Sequence, residues 1–165
     1  FKKQIKDDKF FSKTSIDSLL NEIIDSFKET SSKKLILNSE KFNNKFNLQR
    51  SPELIYGLRN FIGNAVKFSR SVVEIEVKSD LKNLEVLIHD DGPGFPDDIR
   101  LNLGEPYLKS KSKKVTSNTG TGLGTFLGKT LLERKSAQLS FLQNDKLGGA
   151  SVKIIWNIAD LKTNV

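Results

Sequence analysis

The segment 51–69, SPELIYGLRNFIGNAVKFS, most strongly constrains the fold, because it predicts one amphipathic helix with two different sides. Ser51 suits the N-cap of this helix, Pro52 suits its first turn, and the pattern ends near Ser69. The apolar side chains recur at helical spacing and form one face: Leu54, Ile55, Leu58, Phe61, Ile62, Ala65 and Val66. The helix is therefore expected to pack this face against a core.

Three polar residues, Asn60, Asn64 and Lys67, follow the opposite edge of the helix at spacings of four and three. At 100° per residue they fall within about 60° of one another. They form either the solvent edge of an amphipathic helix or a surface that faces a ligand. In the second case, asparagine oxygens suit Mg²⁺ whose shell is completed by phosphate oxygens, and the lysine suits the same phosphates.

The other periodic segments predict a two-layer α/β sandwich, in which about three helices cover one face of a mixed, mainly antiparallel sheet of about five strands. Ser15 caps the first helix, and the third helix begins near Gly122. Residues 104–121 are polar and lysine-rich, which is typical of a long mobile loop. The predicted strands, of which the last two form a hairpin, are 33–38, 72–79, 84–90, 137–144 and 150–158.

Composition excludes several classes of function. The 165 residues suffice for one domain with a core, and no apolar run approaches the roughly 18 residues of a membrane span. The absence of cysteine removes disulfides and thiol chemistry, and the single histidine, His89, cannot form a multi-histidine metal site. The net charge of +7 suits a polyanionic ligand, but scattered lysines without interleaved stacking aromatics disfavour nucleic acid.

The segment LIHDDGPGF places a carboxylate, Asp90, on the same strand face as the apolar residues Leu84, Val86 and Ile88. Burying a carboxylate there is costly unless it meets a donor, and an adenine amino group would be one. Gly92 and Gly94 would let the backbone approach a flat ring. An ordinary aspartate-rich turn after a strand is the alternative. His89 points to the opposite face and is interpreted as a sheet histidine.

The glycine-rich segment NTGTGLGTFLGKT precedes or begins the third helix, where free amides and the positive helix end favour an anion. Its glycines are Gly120, Gly122 and Gly124. A Walker A loop is excluded, because Leu123 stands where that motif needs its first glycine. The dinucleotide fingerprint also fails, since Leu127 replaces its third glycine.

Four segments in this order, NFIGNAVKF, DDGPGF, GEPY and GTGLG, resemble the N, G1, F and G2 boxes of the histidine-kinase ATP-binding domain. That domain belongs to the group shared with DNA gyrase B, Hsp90 and the MutL mismatch-repair proteins. The resemblance covers roughly residues 15–158. DDGPGFPDDIRLNLGEPY, FLGKTLLER and GASVKIIW are similar to the RegB/PrrB type, redox-responding kinases that pair with a DNA-binding response regulator. KSAQ after LLER departs from the expected pattern.

On the base side, this resemblance implies that ATP is the ligand and that Asp90 accepts a hydrogen bond from the adenine amino group. Gly92 and Gly94 would lie beside the ring. Tyr107 matches the F-box aromatic residue. Lys109 stands where a basic residue of the ATP lid often meets the terminal phosphates.

On the phosphate side, Asn64 matches the Mg²⁺ ligand of the family, and Lys67 would reach the phosphates. Asn60 stands where the ATPase relatives keep a catalytic glutamate. The glycine-rich box would offer backbone amides to the phosphates from Gly120, Gly122, Leu123 and Gly124.

The same resemblance implies a Bergerat-type fold with a mobile ATP lid over about 104–121. Residues 15–165 would form the catalytic domain, and residues 1–14 would be the remnant of a linker from an upstream dimerisation and phosphoacceptor hairpin. The implied partners are that hairpin, within a dimer of the full-length kinase, and a cognate response regulator, with no direct nucleic-acid contact. The domain is expected in the cytoplasm, and any membrane anchor would belong to upstream segments.

Asn60 and Lys67 are the candidate catalytic residues. An amide cannot take a proton from water, whereas a glutamate could act as general base, so we expect slow ATP hydrolysis. The γ-phosphate would pass to a histidine outside this chain, because His89 lies in the strand that ends at Asp90. The alternatives are an ATPase of the gyrase/Hsp90/MutL kind and a catalytically silent nucleotide-binding module.

Overall fold

The computed structural model describes residues 13–40, 47–95 and 123–162, and for 123–126 it describes the backbone alone. Seven strands lie in these ranges: β1 Lys13–Thr14, β2 Lys34–Ser39, β3 Leu48–Gln49, β4 Val72–Ser79, β5 Asn83–Asp90, β6 Gln138–Gln143 and β7 Ala150–Asn157. Five of them form one sheet in the order β2-β4-β5-β7-β6, while β1 and β3 pair separately. Only the β2–β4 pair is parallel, so the predicted mixed, mainly antiparallel sheet is confirmed.

Three longer helices and one short helix accompany the sheet in the described residues: α1 Ile16–Lys28, α2 Pro52–Phe68, α3 Leu123–Glu133 and α4 Ile158–Lys162. The two predicted N-caps are confirmed. Ser15 Oγ accepts from the amide of Ser18 at 3.1 Å, and Ser51 Oγ accepts from the amide of Leu54 at 3.2 Å. No helix in the described ranges is long and apolar enough to cross a membrane.

The core lies between the helices and one face of the sheet, which makes the molecule the predicted two-layer sandwich. Alternation along β4, β5 and β7 turns every second side chain toward the helices. Opposite them lie the apolar faces of α1 and α2. The three central strands contribute these side chains to the hydrophobic core: Val73, Ile75, Val77, Leu84, Val86, Ile88, Val152, Ile154 and Trp156.

Helices α2 and α3 approach closely where each carries a glycine. A β-carbon on Gly57 would lie 2.6 Å from two carbons of the fully buried Leu132 side chain. A β-carbon on Gly128 would lie 3.1 Å from the β-carbon of Asn60. The missing side chains therefore allow α3 to lie directly against the Asn60 edge of α2.

The other face of the sheet carries a polar cluster around His89, opposite to the face of Asp90 as alternation predicts. His89 is buried, with Nδ1 2.6 Å from Ser151 Oγ and Nε2 3.4 Å from Glu76 Oε1. Lys146 Nζ lies 2.6 Å from Glu74 and 3.0 Å from Glu76. Burial lowers the pKa of His89 and outweighs the two glutamates, which act to raise it.

The lowered pKa of His89 predicts a loss of stability on mild acidification. The unfolded chain, with an ordinary histidine pKa near 6.5, binds the proton first, so the free energy of unfolding falls as the pH drops through that value. The sequence holds one histidine, so the change in the free energy of unfolding between about pH 7.5 and 5.5, measured by urea unfolding, should come from His89. His89→Gln should flatten the dependence. An unchanged dependence in this variant would assign it to other groups.

Candidate functional site

Asp90 is a buried carboxylate at the end of β5, with 7% of its surface exposed. Its Oδ1 accepts hydrogen bonds from the amides of Gly92, at 2.8 Å, and Ala150, at 3.2 Å. Burial raises the pKa of Asp90 above its ordinary value, although both hydrogen bonds act to lower it. Oδ2 accepts no hydrogen bond from the described residues, so one oxygen of a buried acceptor is available to a ligand.

Two glycines allow the backbone to close around this carboxylate. A β-carbon on Gly92 would collide with the carbonyl oxygen of Phe68, at the end of α2. A β-carbon on Gly149 would collide with both Oδ1 and the carbonyl oxygen of Asp90. The end of β5 is thus packed between the end of α2 and the start of β7, with no room for a β-carbon at position 92 or 149.

Gly94 lies further along the same turn and adopts a left-handed conformation, with φ at +80°. The position of its missing β-carbon is occupied by the side chain of Gln143, from the end of β6. Gln143 Nε2 donates to the carbonyl oxygen of Phe95 at 2.6 Å. Both G1 glycines, Gly92 and Gly94, therefore permit close packing within the protein. Their predicted approach to a flat ligand ring stays a prediction.

The β6–β7 hairpin supplies site residues that the sequence analysis missed. Asn144 is buried and donates from Nδ2 to the carbonyl oxygen of Asp90 at 3.3 Å, while Ala150 holds the Asp90 carboxylate. One sequence feature could have revealed these residues, namely the two adjacent glycines Gly148 and Gly149. Gly148, with φ at +86° and open space around it, satisfies the turn, so a second glycine at 149 required another explanation.

The polar edge of α2 reaches the same end of the sandwich. Asn60 and Asn64 are half-buried and Lys67 is exposed, with its Nζ 5.3 Å from the centre of the Phe68 ring. Since Phe68 contacts Gly92, the edge ends next to the Asp90 turn. The folded chain therefore places the Lys67 end of the polar edge next to the turn that follows Asp90.

The donor set determines what kind of metal site this edge could form. The described residues contain no group of three or more histidine, cysteine, aspartate or glutamate side chains that could hold an ion. Asn64 offers one neutral oxygen. This set fits Mg²⁺ that takes most of its ligands from phosphate oxygens and water.

The remaining predicted site residues are described in part or not at all. Tyr107, Lys109, Gly120 and Gly122 lie outside the described residues. Leu123 and Gly124 form the first turn of α3, where helix amides have no acceptor within the helix. Their backbone position is thus compatible with the anion site that the sequence predicts.

The family of histidine kinase-, DNA gyrase B- and HSP90-like ATPases matches residues 50–159. The sensor histidine kinase RegB of Cereibacter sphaeroides is 37% identical over 124 residues, which cover 66% of this chain and 27% of RegB. The sensor protein kinase PilS of Pseudomonas aeruginosa is 36% identical over 101 residues, which cover 56% of this chain and 18% of PilS. The chain thus spans about a quarter or less of these relatives.

Solved structures share the fold. The mycobacterial sensor histidine kinase MprB matches with a TM-score of 0.71 at 17% identity, covering 89% of this chain and 97% of that one. The ATP-binding domain of PrrB from Mycobacterium tuberculosis matches with a TM-score of 0.64 at 21% identity, covering 87% and 94%. The chain belongs to the family of histidine kinase-, DNA gyrase B- and HSP90-like ATPases and is an ATP-binding domain of the sensor histidine kinase type.

Proposed function

We propose that this domain binds ATP together with Mg²⁺ and transfers the γ-phosphoryl group to a histidine on a separate helical hairpin of the full-length kinase. The phosphoryl group then passes to a response regulator. The observation that carries this proposal is the half-satisfied, buried carboxylate of Asp90 beside the polar edge of α2.

Asp90 recognises the base. Its Oδ1 is occupied by the amides of Gly92 and Ala150, so Oδ2 is the acceptor for the adenine amino group. The carboxylate keeps its place because both amides belong to backbone that is packed without side chains at Gly92 and Gly149. Gly94 and Tyr107 complete the base-binding side of this proposal.

The α2 edge faces the phosphates. Asn64 holds Mg²⁺ through its carboxamide oxygen, and Lys67 adds a positive charge. When bound, the metal neutralises charge on the phosphate oxygens during transfer. The backbone amides of Leu123 and Gly124 also favour the negative charge of the phosphates, because they lie at the N-terminus of α3. Lys109, Gly120 and Gly122 would extend this anion-binding surface.

Asn60 favours transfer over hydrolysis. A carboxamide cannot remove a proton from water, so the site holds the γ-phosphate for an incoming nucleophile instead. In the transfer, a histidine nitrogen forms a bond to phosphorus and the bond to the ADP oxygen breaks. His89 is unsuited to this role, because it is buried on the opposite face against Ser151.

The proposal extends to the place of this domain in the full-length kinase. Residues 15–165 form the catalytic domain, and residues 1–14 lead to the hairpin of the dimeric kinase, although Lys13 and Thr14 already pair with β3 of the domain. The domain works in the cytoplasm, where ATP is available.

Asp90→Asn should convert the base-recognising acceptor into a donor. Asparagine can keep Oδ1 bonded to the amides of Gly92 and Ala150, which turns its NH₂ group toward the ligand. ATP affinity should fall by at least about tenfold, because two donors then face each other. ITP, whose base presents an acceptor at this position, should lose much less. Calorimetric titration measures both. Equal losses for ATP and ITP would contradict this role.

Asn64→Ala should remove the Mg²⁺ dependence of ATP binding while leaving metal-free binding nearly unchanged. The physical reason is the loss of the protein's carboxamide ligand to the metal. The matched control is Asn83→Ala, which removes an exposed asparagine at the far end of β5. Calorimetry with MgCl₂ or EDTA provides the measurement. Retained Mg²⁺ dependence in Asn64→Ala would assign the metal to other ligands.

Phosphoryl transfer is tested with ATP labelled at the γ position, the purified domain and the hairpin segment of the full-length kinase. We expect acid-labile label on the hairpin that requires this domain and disappears with Asp90→Ala. Release of labelled phosphate without a labelled hairpin would favour the ATPase alternative. Binding with neither product would indicate a silent nucleotide-binding module.

A further inference from the structure

A second carboxylate, Asp91, binds the loop that joins α2 to β4. Its Oδ1 accepts from the backbone amides of Arg70 at 2.8 Å, Ser71 at 3.0 Å and Val72 at 3.2 Å. Its Oδ2 accepts from the Ser71 hydroxyl at 2.7 Å. One side chain thus binds four donors from three successive residues, which fixes the course of this loop relative to the end of β5.

Asp91 remains ionised at neutral pH. Partial desolvation raises its pKa, but the hydrogen bonds from Ser71, Val72 and Arg70 together outweigh it and hold the pKa well below its ordinary value. Because the folded pKa is the lower one, this stabilisation is complete above the unfolded pKa near 3.9 and is lost only in stronger acid. The loop is therefore held throughout the neutral range in which nucleotides are bound.

A cation holds the other side of the same connection. Lys33 Nζ donates to the carbonyl oxygens of Val66 at 2.7 Å, Lys67 at 3.4 Å and Ser69. These carbonyl groups lie at the C-terminal end of α2, where a positive charge is favourable. The carbonyls at the end of α2 are thus bound by a cation and the following amides by Asp91.

This connection lies between the two parts of the proposed nucleotide site. Asp91 stands between Asp90, which faces the base, and Gly92, which packs on the carbonyl oxygen of Phe68. Phe68 directly follows Lys67, which faces the phosphates. The distance between the base-binding and phosphate-binding groups therefore depends on how firmly the β5 end is attached to the α2 end.

We propose that Asp91 is a positioning residue, which sets the separation between Asp90 and the Asn64–Lys67 end of α2 so that one ligand reaches both. The inference rests on the proposed nucleotide site. A ligand that spans both parts benefits from their fixed separation, because binding at one part places the rest of the molecule at the other. A ligand that touches one part gains nothing from it.

The test compares ATP with its two halves, adenosine and inorganic tripolyphosphate, on the wild type, Asp91→Ala and Asp91→Asn. Dissociation constants come from calorimetry for ATP and from NMR titration for the weaker halves, all with Mg²⁺. For Asp91→Ala we expect at least about tenfold weaker ATP binding and less than about threefold change for either half. Asp91→Asn, which retains an acceptor oxygen, should recover part of the ATP affinity.

Asp80→Ala is the matched control. Asp80 also accepts from turn amides, those of Lys82 at 2.8 Å and Asn83 at 2.7 Å, but at the opposite end of β4 and β5. Its loss should leave ATP and both halves bound as in the wild type. Thermal unfolding of each variant identifies the folded samples, and Asp91→Asn serves where Asp91→Ala does not fold.

The affinities of the Asp91 variants decide the inference. A loss of ATP affinity in the Asp91 variants, without a matching loss for adenosine or tripolyphosphate, supports the inference. Wild-type ATP affinity in a folded Asp91→Ala, or an equal loss for ATP and both halves, overturns it. A wild-type chain that fails to bind ATP contradicts the proposed nucleotide site itself, so the failure of each proposal is distinguishable.

Discussion

The buried carboxylate of Asp90 is the constraint on which this end of the molecule depends. A charge removed from water requires donors, and the chain supplies the amides of Gly92 and Ala150. Those amides reach one oxygen only because β7 pairs with β5 and because Gly92 and Gly149 leave no side chain in the way. The arrangement occupies Oδ1 and leaves Oδ2 without a hydrogen bond from the described residues. The packing that makes burial tolerable thus also leaves the acceptor that we propose for adenine.

Helix α2 connects the Asp90 turn to the rest of the candidate site, because one side of the helix packs in the core and the other carries polar residues. Its apolar face fills the core, its polar edge carries Asn60, Asn64 and Lys67, and its last turn packs on Gly92. Lys33 and Asp91 bind the carbonyls and amides at that turn. A hydrogen-bonded connection suits the proposed transfer to an outside nucleophile, since phosphoryl transfer depends mainly on positioning and on charge neutralisation.

Local signals in the sequence were enough to predict most helices and strands. The caps Ser15 and Ser51 and the alternation along β4 and β5 predicted elements that the structure confirms. Asn144, Gly149 and Ala150 were missed because their segment satisfied an ordinary hairpin pattern. Their proximity to Asp90 depends on the pairing of β5 with β7, two strands about 60 residues apart, and no local pattern encodes such a register.

The sequence by itself determined the elements, the apolar face of α2 and the spacing of Asn60, Asn64 and Lys67, because helical and strand periodicity depend on neighbouring residues. It also determined the resemblance that names the family, since the motifs are contiguous. Only the tertiary structure decided which oxygen of Asp90 is occupied, which glycines close the site and what Asp91 binds. These facts depend on atoms that long-range strand pairing and helix packing bring into contact, and on the burial that changes the energetics of their charges.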